Sequence, residues 1–125
     1  MRNIASYQKN NNLANEVMSV DEQVSLIFKE ILKNIKISNH FYEQQKYESS
    51  FISLEKSINL SVRLGEILNF DNENVSPNDI NWKDYFQSLI FSISNHFRTR
   101  DEKLFQAMCS SLESMIDMWG NHKQK

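Results

Sequence analysis

The chain is poor in the residues that turn, staple or break a backbone: its 125 residues include two glycines, Gly65 and Gly120, one proline, Pro77, and one cysteine, Cys109. So little turn-forming material argues against an all-β domain, with its many tight turns. One cysteine rules out an internal disulfide and gives no sign of an oxidising compartment. Set among Leu104, Met108 and Leu112, it reads as a buried thiol and not a nucleophile. No stretch approaches the roughly 20 apolar residues of a membrane span, and Met1 to Leu13 lacks the apolar run of a signal peptide. Charge of one sign is missing too. Fourteen basic residues stand against 16 acidic ones, interspersed, for a formal net charge of -2. That argues against nucleic acid and against insertion into, or binding to, an anionic membrane. The expectation is a helical protein of the cytosol, one domain long enough to bury a core.

Chemistry is equally sparse. There is no phosphate-cradling glycine loop and no nucleophile elbow. None of His40, His96 or His122 has a Glu or Asp three residues before it, so the inward Glu-x-x-His pairs of di-iron bundles are missing. His40 and Glu43 have the reverse order and supply at most half a metal site. No catalytic residue, metal or cofactor is assigned, and the expectation is a protein that binds and does not catalyse.

What is present is helical period. Residues 1–18, with Asn10, Asn11 and Asn12 in a row, show none and read as a loosely ordered leader. Ser19 and Glu22 have capping-box spacing, and Asp21 and Glu22 suit the positive end of a helix dipole. Val24, Phe28, Ile31, Ile35, Ser38 and Tyr42, flanked by Ile27, then carry a first amphipathic helix to about Glu43. A second helix runs from about Ser49 to Asn69. Asp71 to Asn78 has the composition of a connection, with Ser76 and Pro77 as the cap and first residue of a third helix. That helix should bury Trp82, Phe86, Leu89, Ile90, Ile93 and Phe97, with Tyr85 alongside and Phe91 on the far side. Asp101 caps a fourth, whose face is Leu104, Phe105, Met108, Leu112, Met115, Ile116 and Trp119 and whose end is Gly120. Short links place consecutive helices side by side. The predicted fold is therefore all-α: an antiparallel four-helix bundle over 19–120 with a loosely ordered leader, 1–18, and a polar tail, 121–125. A three-helix core with the last helix packed elsewhere is the alternative.

The second helix carries two apolar stripes. Phe51, Leu54, Ile58, Val62, Gly65 and Leu68 form one; Ile52, Leu60, Leu64 and Ile67 form another roughly opposite. A bundle helix needs one buried face, so the second stripe is either a groove for a partner or ordinary core of a central helix. The pentapeptide Ile37-Ser38-Asn39-His40-Phe41 recurs as Ile93-Ser94-Asn95-His96-Phe97. The flanks do not continue the match, which therefore reads as chance and not duplication.

Several segments follow in a recognisable order and spacing: Ser6-Tyr7-Gln8, Leu26-Ile27-Phe28 to Tyr42, the polar exit Glu43-Gln44-Gln45-Lys46, Leu54-Glu55-Lys56-Ser57-Ile58 to Leu68-Asn69, and Leu112 to Trp119. Over residues 6–119 this order resembles the flagellin-specific export chaperones, the FliS family. The resemblance implies a cytosolic helical bundle that binds the C-terminal segment of flagellin, prevents its premature polymerisation and presents it to the flagellar type III export apparatus. It also implies that the leader, with the pair Tyr7 and Gln8, packs near the client site and yields to the client. The chain departs from the family where Ser19-Val20 opens the first helix and where Ser38 and Ser57 replace small alanines, each serine able to return its hydroxyl bond to its own preceding turn.

The bare residues support a compatible mechanism, in which a segment disordered when free folds as an amphipathic helix into an apolar groove. The candidate contacts are Ile52, Leu60, Leu64 and Ile67 with Phe91 as neighbour, covered in the free state by Ile4 and Tyr7. The competing reading is a non-catalytic helical adaptor, or a homodimer of the client-free protein through the same stripe.

Overall fold

A computed structural model describes residues 19–70 and 80–122. Among them are four α-helices: α1 (Val20–Glu43), α2 (Tyr47–Phe70), α3 (Trp82–Thr99) and α4 (Glu102–His122). Among the described residues no helix is long and apolar enough to cross a membrane.

Local chemistry sets most of the boundaries. At the start of α1 the Glu22 N–H donates to Ser19 Oγ at 3.1 Å and the Ser19 N–H donates to Glu22 Oε1 at 3.1 Å, a complete capping box. The α1–α2 turn has Gln45 at φ 64°, and the Lys46 N–H closes it on Phe41 O at 2.9 Å. Asn81 Oδ1 accepts from the Asp84 N–H at 3.1 Å and caps α3. Asp101 Oδ1 accepts from the N–H groups of Lys103 and Leu104 at 3.0 and 3.3 Å and starts α4.

Each helix packs on two others, α1 on α2 and α4, α3 on α2 and α4, so the four form a closed square. Contacts between opposite ends fix the directions. Ser38 near the end of α1 meets Ser50 near the start of α2; Phe51 meets Phe97; Tyr85 meets Ser111; Ser25 meets Ile116. All four neighbours are therefore antiparallel, and the three-helix alternative falls away. The core runs from an aromatic end, where Phe28 and Phe86 stack at 5.9 Å and Trp82 and Trp119 lie 5.8 Å apart, through Ile31, Ile93 and Leu112. Neither indole N–H of that tryptophan pair has a hydrogen-bond partner.

The tightest packing, between α1 and α2, is built on serine. Ser50, Ser57 and Ser61 are fully buried and Ser53 nearly so, interleaved with Leu54, Leu64 and Leu68. Ser57 and Ser61 donate to Leu54 O and Ser57 O, within their own helix, at 2.7 and 2.8 Å. Ser38 and Ser50 instead bond across the seam: Ser38 Oγ donates to Ser50 O at 2.8 Å, and Ser50 Oγ donates to Ser38 O at 2.7 Å. With their hydroxyls satisfied, the serines serve as small packing residues and bring the two backbones close. Glycine does the same elsewhere. A Cβ on Gly65 would lie 3.2 Å from the Phe86 ring, and one on Gly120 would lie 3.2 Å from Ser25 Oγ, which itself donates to Ile116 O.

The observed faces correct several expectations. On α2 the buried side is the serine and leucine face, so Phe51 and Val62, expected inside, are 48% and 43% exposed, and Leu64, expected outside, is fully buried. Gly120 does not end α4, which continues to His122, because glycine there serves the approach to Ser25 and not the helix stop. The expected cap at Ser76 and Pro77 lies outside the described residues; the described third helix starts at the Asn81 cap. Ser38 bonds across to α2 and not back along α1. The repeated pentapeptide occupies different registers: Ser38 is buried and Ser94 exposed, His40 exposed and His96 buried. One sequence thus meets two environments.

The serine clasp carries a measurable prediction. Ser38→Ala and Ser50→Ala are each expected to cost about 1 kcal/mol of unfolding free energy, and the double variant less than their sum by about 0.5 kcal/mol or more. Denaturant melts of the four proteins check this, and strict additivity would show that the two hydroxyls do not act as a pair.

Candidate functional site

The sequence-predicted groove does not assemble. Leu64 is fully buried in the core, while Leu60 and Ile67 are half-buried on the α1 side of α2. Leu60 lines a shallow groove of about 340 Å³ whose other walls are Glu30, Asn34, Lys56, Asn59 and Arg63. Ile52 is 47% exposed and Phe91 68% exposed, each pointing outward from its own helix. Ile4, Tyr7 and Gln8 lie outside the described residues. The four aliphatic side chains of the second stripe therefore serve three different environments.

The apolar surface that does form a continuous feature lies along α2 facing α3. Phe51, Ile58 and Val62 are separated by seven and four residues, which places them within about 40° of one another round the helix and along about 16 Å of its length. Ile58 packs half-buried against the core, while Phe51 and Val62 leave nearly half their surface uncovered. At the α1–α2 end this row becomes an aromatic cluster. Phe51 meets Phe97 at 6.1 Å between ring centroids, Phe97 meets Tyr42 at 5.7 Å, and Tyr42 meets Tyr47 at 4.9 Å, each pair tilted toward edge-to-face. Tyr47 is 52% exposed. The signal for this row was visible in the period of α2; its assignment to the interior was wrong because serine was counted as polar.

Arg100 holds the cluster from behind. It is the αL residue that ends α3, at φ 59°, and its guanidinium lies 3.6 Å from the centre of the Tyr42 ring and 6.0 Å from that of Phe97. It also donates to Asn39 Oδ1 on α1 and to Phe97 O. The left-handed conformation is unfavourable for a side chain with a Cβ, and these contacts offset it. The α3–α4 turn is thereby latched to the end of α1.

Burial shifts three titratable side chains of α3 and α4. His96 is buried at the α3–α4 interface with its ring 4.7 Å from that of Phe105. Burial pulls its pKa below the usual histidine value, helped by the Arg100 charge and opposed by Glu102 and Asp101. Burial likewise pushes up the Cys109 thiol and the Tyr85 hydroxyl, the latter 3.3 Å from Ser111 Oγ. A thiol held protonated is a poor nucleophile. Among the described residues no three His, Cys, Asp or Glu side chains are grouped to hold a metal ion.

Compared with known proteins, the chain matches no family model, no curated protein and no solved structure.

Two outcomes follow from the Arg100 and His96 contacts. Arg100→Ala, which keeps the unfavourable backbone and loses the ring and Asn39 contacts, should destabilise the fold by about 1 kcal/mol more than Arg100→Gly, measured by thermal or urea melts. His96 binds a proton more readily unfolded than folded. Its contribution is therefore intact above the unfolded value near 6.5 and lost as pH falls below it toward the lowered folded value. Urea melts across that window should show a slope that His96→Gln removes.

Proposed function

We propose that this chain is a non-catalytic chaperone of the flagellar export type, holding the C-terminal segment of flagellin in the cytosol, unpolymerised, for delivery to the type III export apparatus. The observation that carries this reading is the exposure of Phe51 and Val62, 48% and 43%, in a row with half-buried Ile58 that is continued by Tyr47 and Phe97. A soluble bundle keeps such a row only at some risk of aggregation, and an apolar strip on a helix edge is the shape an amphipathic segment recognises. The ordered resemblance of residues 6–119 to the FliS family is what suggests flagellin as the client, and the row is the contact this reading proposes for it.

Flagellin's C-terminal segment, disordered as a monomer, would fold against this edge. Each aromatic or aliphatic side chain covered contributes about 1.5–3 kcal/mol, from which the cost of ordering the segment is subtracted. Arg100 and Tyr42 keep the aromatic end rigid, which lowers the ordering cost on the chaperone's side. Tyr7 and Gln8 of the leader are the client-displaced contacts in this reading.

Calorimetric titration of the full chain with the C-terminal segment of its cognate flagellin should give a one-to-one complex. Phe51→Asp and Val62→Asp should each weaken it about tenfold or more, while Ile52→Asp, on the outward side of α2, should leave it unchanged. Absence of any complex would remove the proposal. Equal effects of all three variants would remove the α2–α3 edge as the contact.

A further inference from the structure

The exposed surface of α2 is divided by charge. Measured round the helix from Phe51, Glu48, Glu55 and Glu66 stand at about 40–60°, where the apolar row meets solvent, while Lys56 and Arg63 stand at about 120–140°. The two bases belong to the groove on the α1 side, where Glu30 joins them in the wall. The three glutamates are exposed and flank the row, along about 27 Å of the helix. Among the described residues no lysine or arginine pairs with any of the three; the ion pairs of α1 lie elsewhere, at Glu30 and Glu113. Across the row α3 offers little counter-charge. From Tyr85 to Phe97 it has no Asp, Glu, Lys or Arg, and its bases Lys83 and Arg98 stand at the two ends of that span.

We infer that the segment docking on the α2 row is a basic amphipathic helix, with its apolar stripe on Phe51, Ile58 and Val62 and a flank of lysine or arginine over Glu48, Glu55 and Glu66. This rests on the row being the client contact proposed above and adds the chemistry of the client. Apolar area supplies affinity without direction, since a greasy stripe can lie either way round or slip by a turn. Charge on one flank only removes that freedom. A basic flank meets three unpaired carboxylates on the α2 side and uncharged side chains on the α3 side, so a single placement satisfies both, and an acidic flank would bring like charges together. The spacing also constrains the partner. Glu48, Glu55 and Glu66 are separated by seven and eleven residues, and each of those steps returns to the same face of a helix within about 20°. A partner helix has the same rise per residue, so its own bases should recur at the same two separations.

Fluorescence anisotropy of the full chain with two labelled synthetic helices of about 22 residues tests this. The peptides share one leucine stripe and differ only in the flank, which carries three lysines or three glutamates at the separations of Glu48, Glu55 and Glu66. The lysine peptide should bind about tenfold tighter, because each exposed pair is worth roughly a factor of two and the acidic peptide adds repulsion. High salt should erase most of that preference. Glu48→Gln, Glu55→Gln and Glu66→Gln together should abolish it with the helical signal unchanged, and Glu55→Lys with Glu66→Lys should reverse it. Lys56→Gln with Arg63→Gln, on the other flank, should not reduce it. Phe51→Ala should weaken both peptides alike. No binding of either peptide, equal binding of the two, tighter binding of the acidic one, or a preference that survives the triple variant would each overturn the inference. The flagellin titration reads out separately. A flagellin segment held through Phe51 but indifferent to the triple variant overturns the basic flank and leaves the chaperone reading standing. Absence of a flagellin complex with the peptide preference intact removes flagellin as the client and leaves the basic flank standing.

Discussion

The close approach of α1 and α2 through a seam of serines governs the rest of this structure. Four serines occupy the inner side of α2, and two hydroxyls, on Ser38 and Ser50, exchange hydrogen bonds with the opposite backbone near the turn that joins the helices. Small side chains whose polar atoms are already satisfied let the backbones come nearer than leucine would. The volume that bulky residues would have filled is taken by the neighbouring helix itself. Leu54, Leu64 and Leu68 share the inner side with the serines, while Phe51 and Val62 fall on the flank and stay partly uncovered. The exposed row is thus a consequence of how the core is packed.

A second consequence concerns the two ends of the bundle. At one end Trp82, Trp119, Phe28 and Phe86 fill the space with rings, and Gly65 gives Phe86 room against α2. At the other, Arg100 ties the α3–α4 turn to Tyr42 and Asn39 of α1, so the least extensively packed helix pair is held by a cation over an aromatic ring. The square is closed by buried aromatic area at one end and by a polar latch at the other. Lysines line the exposed side of α1, whereas residues 85–97 of α3 and 104–112 of α4 include no Asp, Glu, Lys or Arg.

Much of this was legible in the order of residues. The Ser19 and Glu22 box started α1 where its spacing required, and the apolar period of α1, α3 and α4 named most of the core, from Phe28 and Ile31 to Trp82, Leu112 and Trp119. These helices use bulky apolar residues on the buried side, so hydrophobic period and burial coincide. On α2 they part company. A pattern that counts serine as polar sets the buried face roughly a fifth of a turn from its true place, and it assigned Phe51 and Val62 to the interior and Leu64 to the surface. The same blindness hid His96, which is polar by type yet buried against Phe105.

The sequence by itself determined that the chain is helical, where α1 and α4 begin and that short turns make neighbours antiparallel, because capping, period and connection length are local properties of a backbone. Only the tertiary structure decided which side of α2 is inside and where apolar surface is left over. Burial of a small hydroxyl depends on whether a carbonyl from another helix, or from its own preceding turn, accepts its proton, and no local pattern specifies the first. Ser38 and Ser50 are 12 residues apart in the chain and found each other's carbonyls across the seam. That pairing turned a polar face into core and an expected core residue, Phe51, into surface.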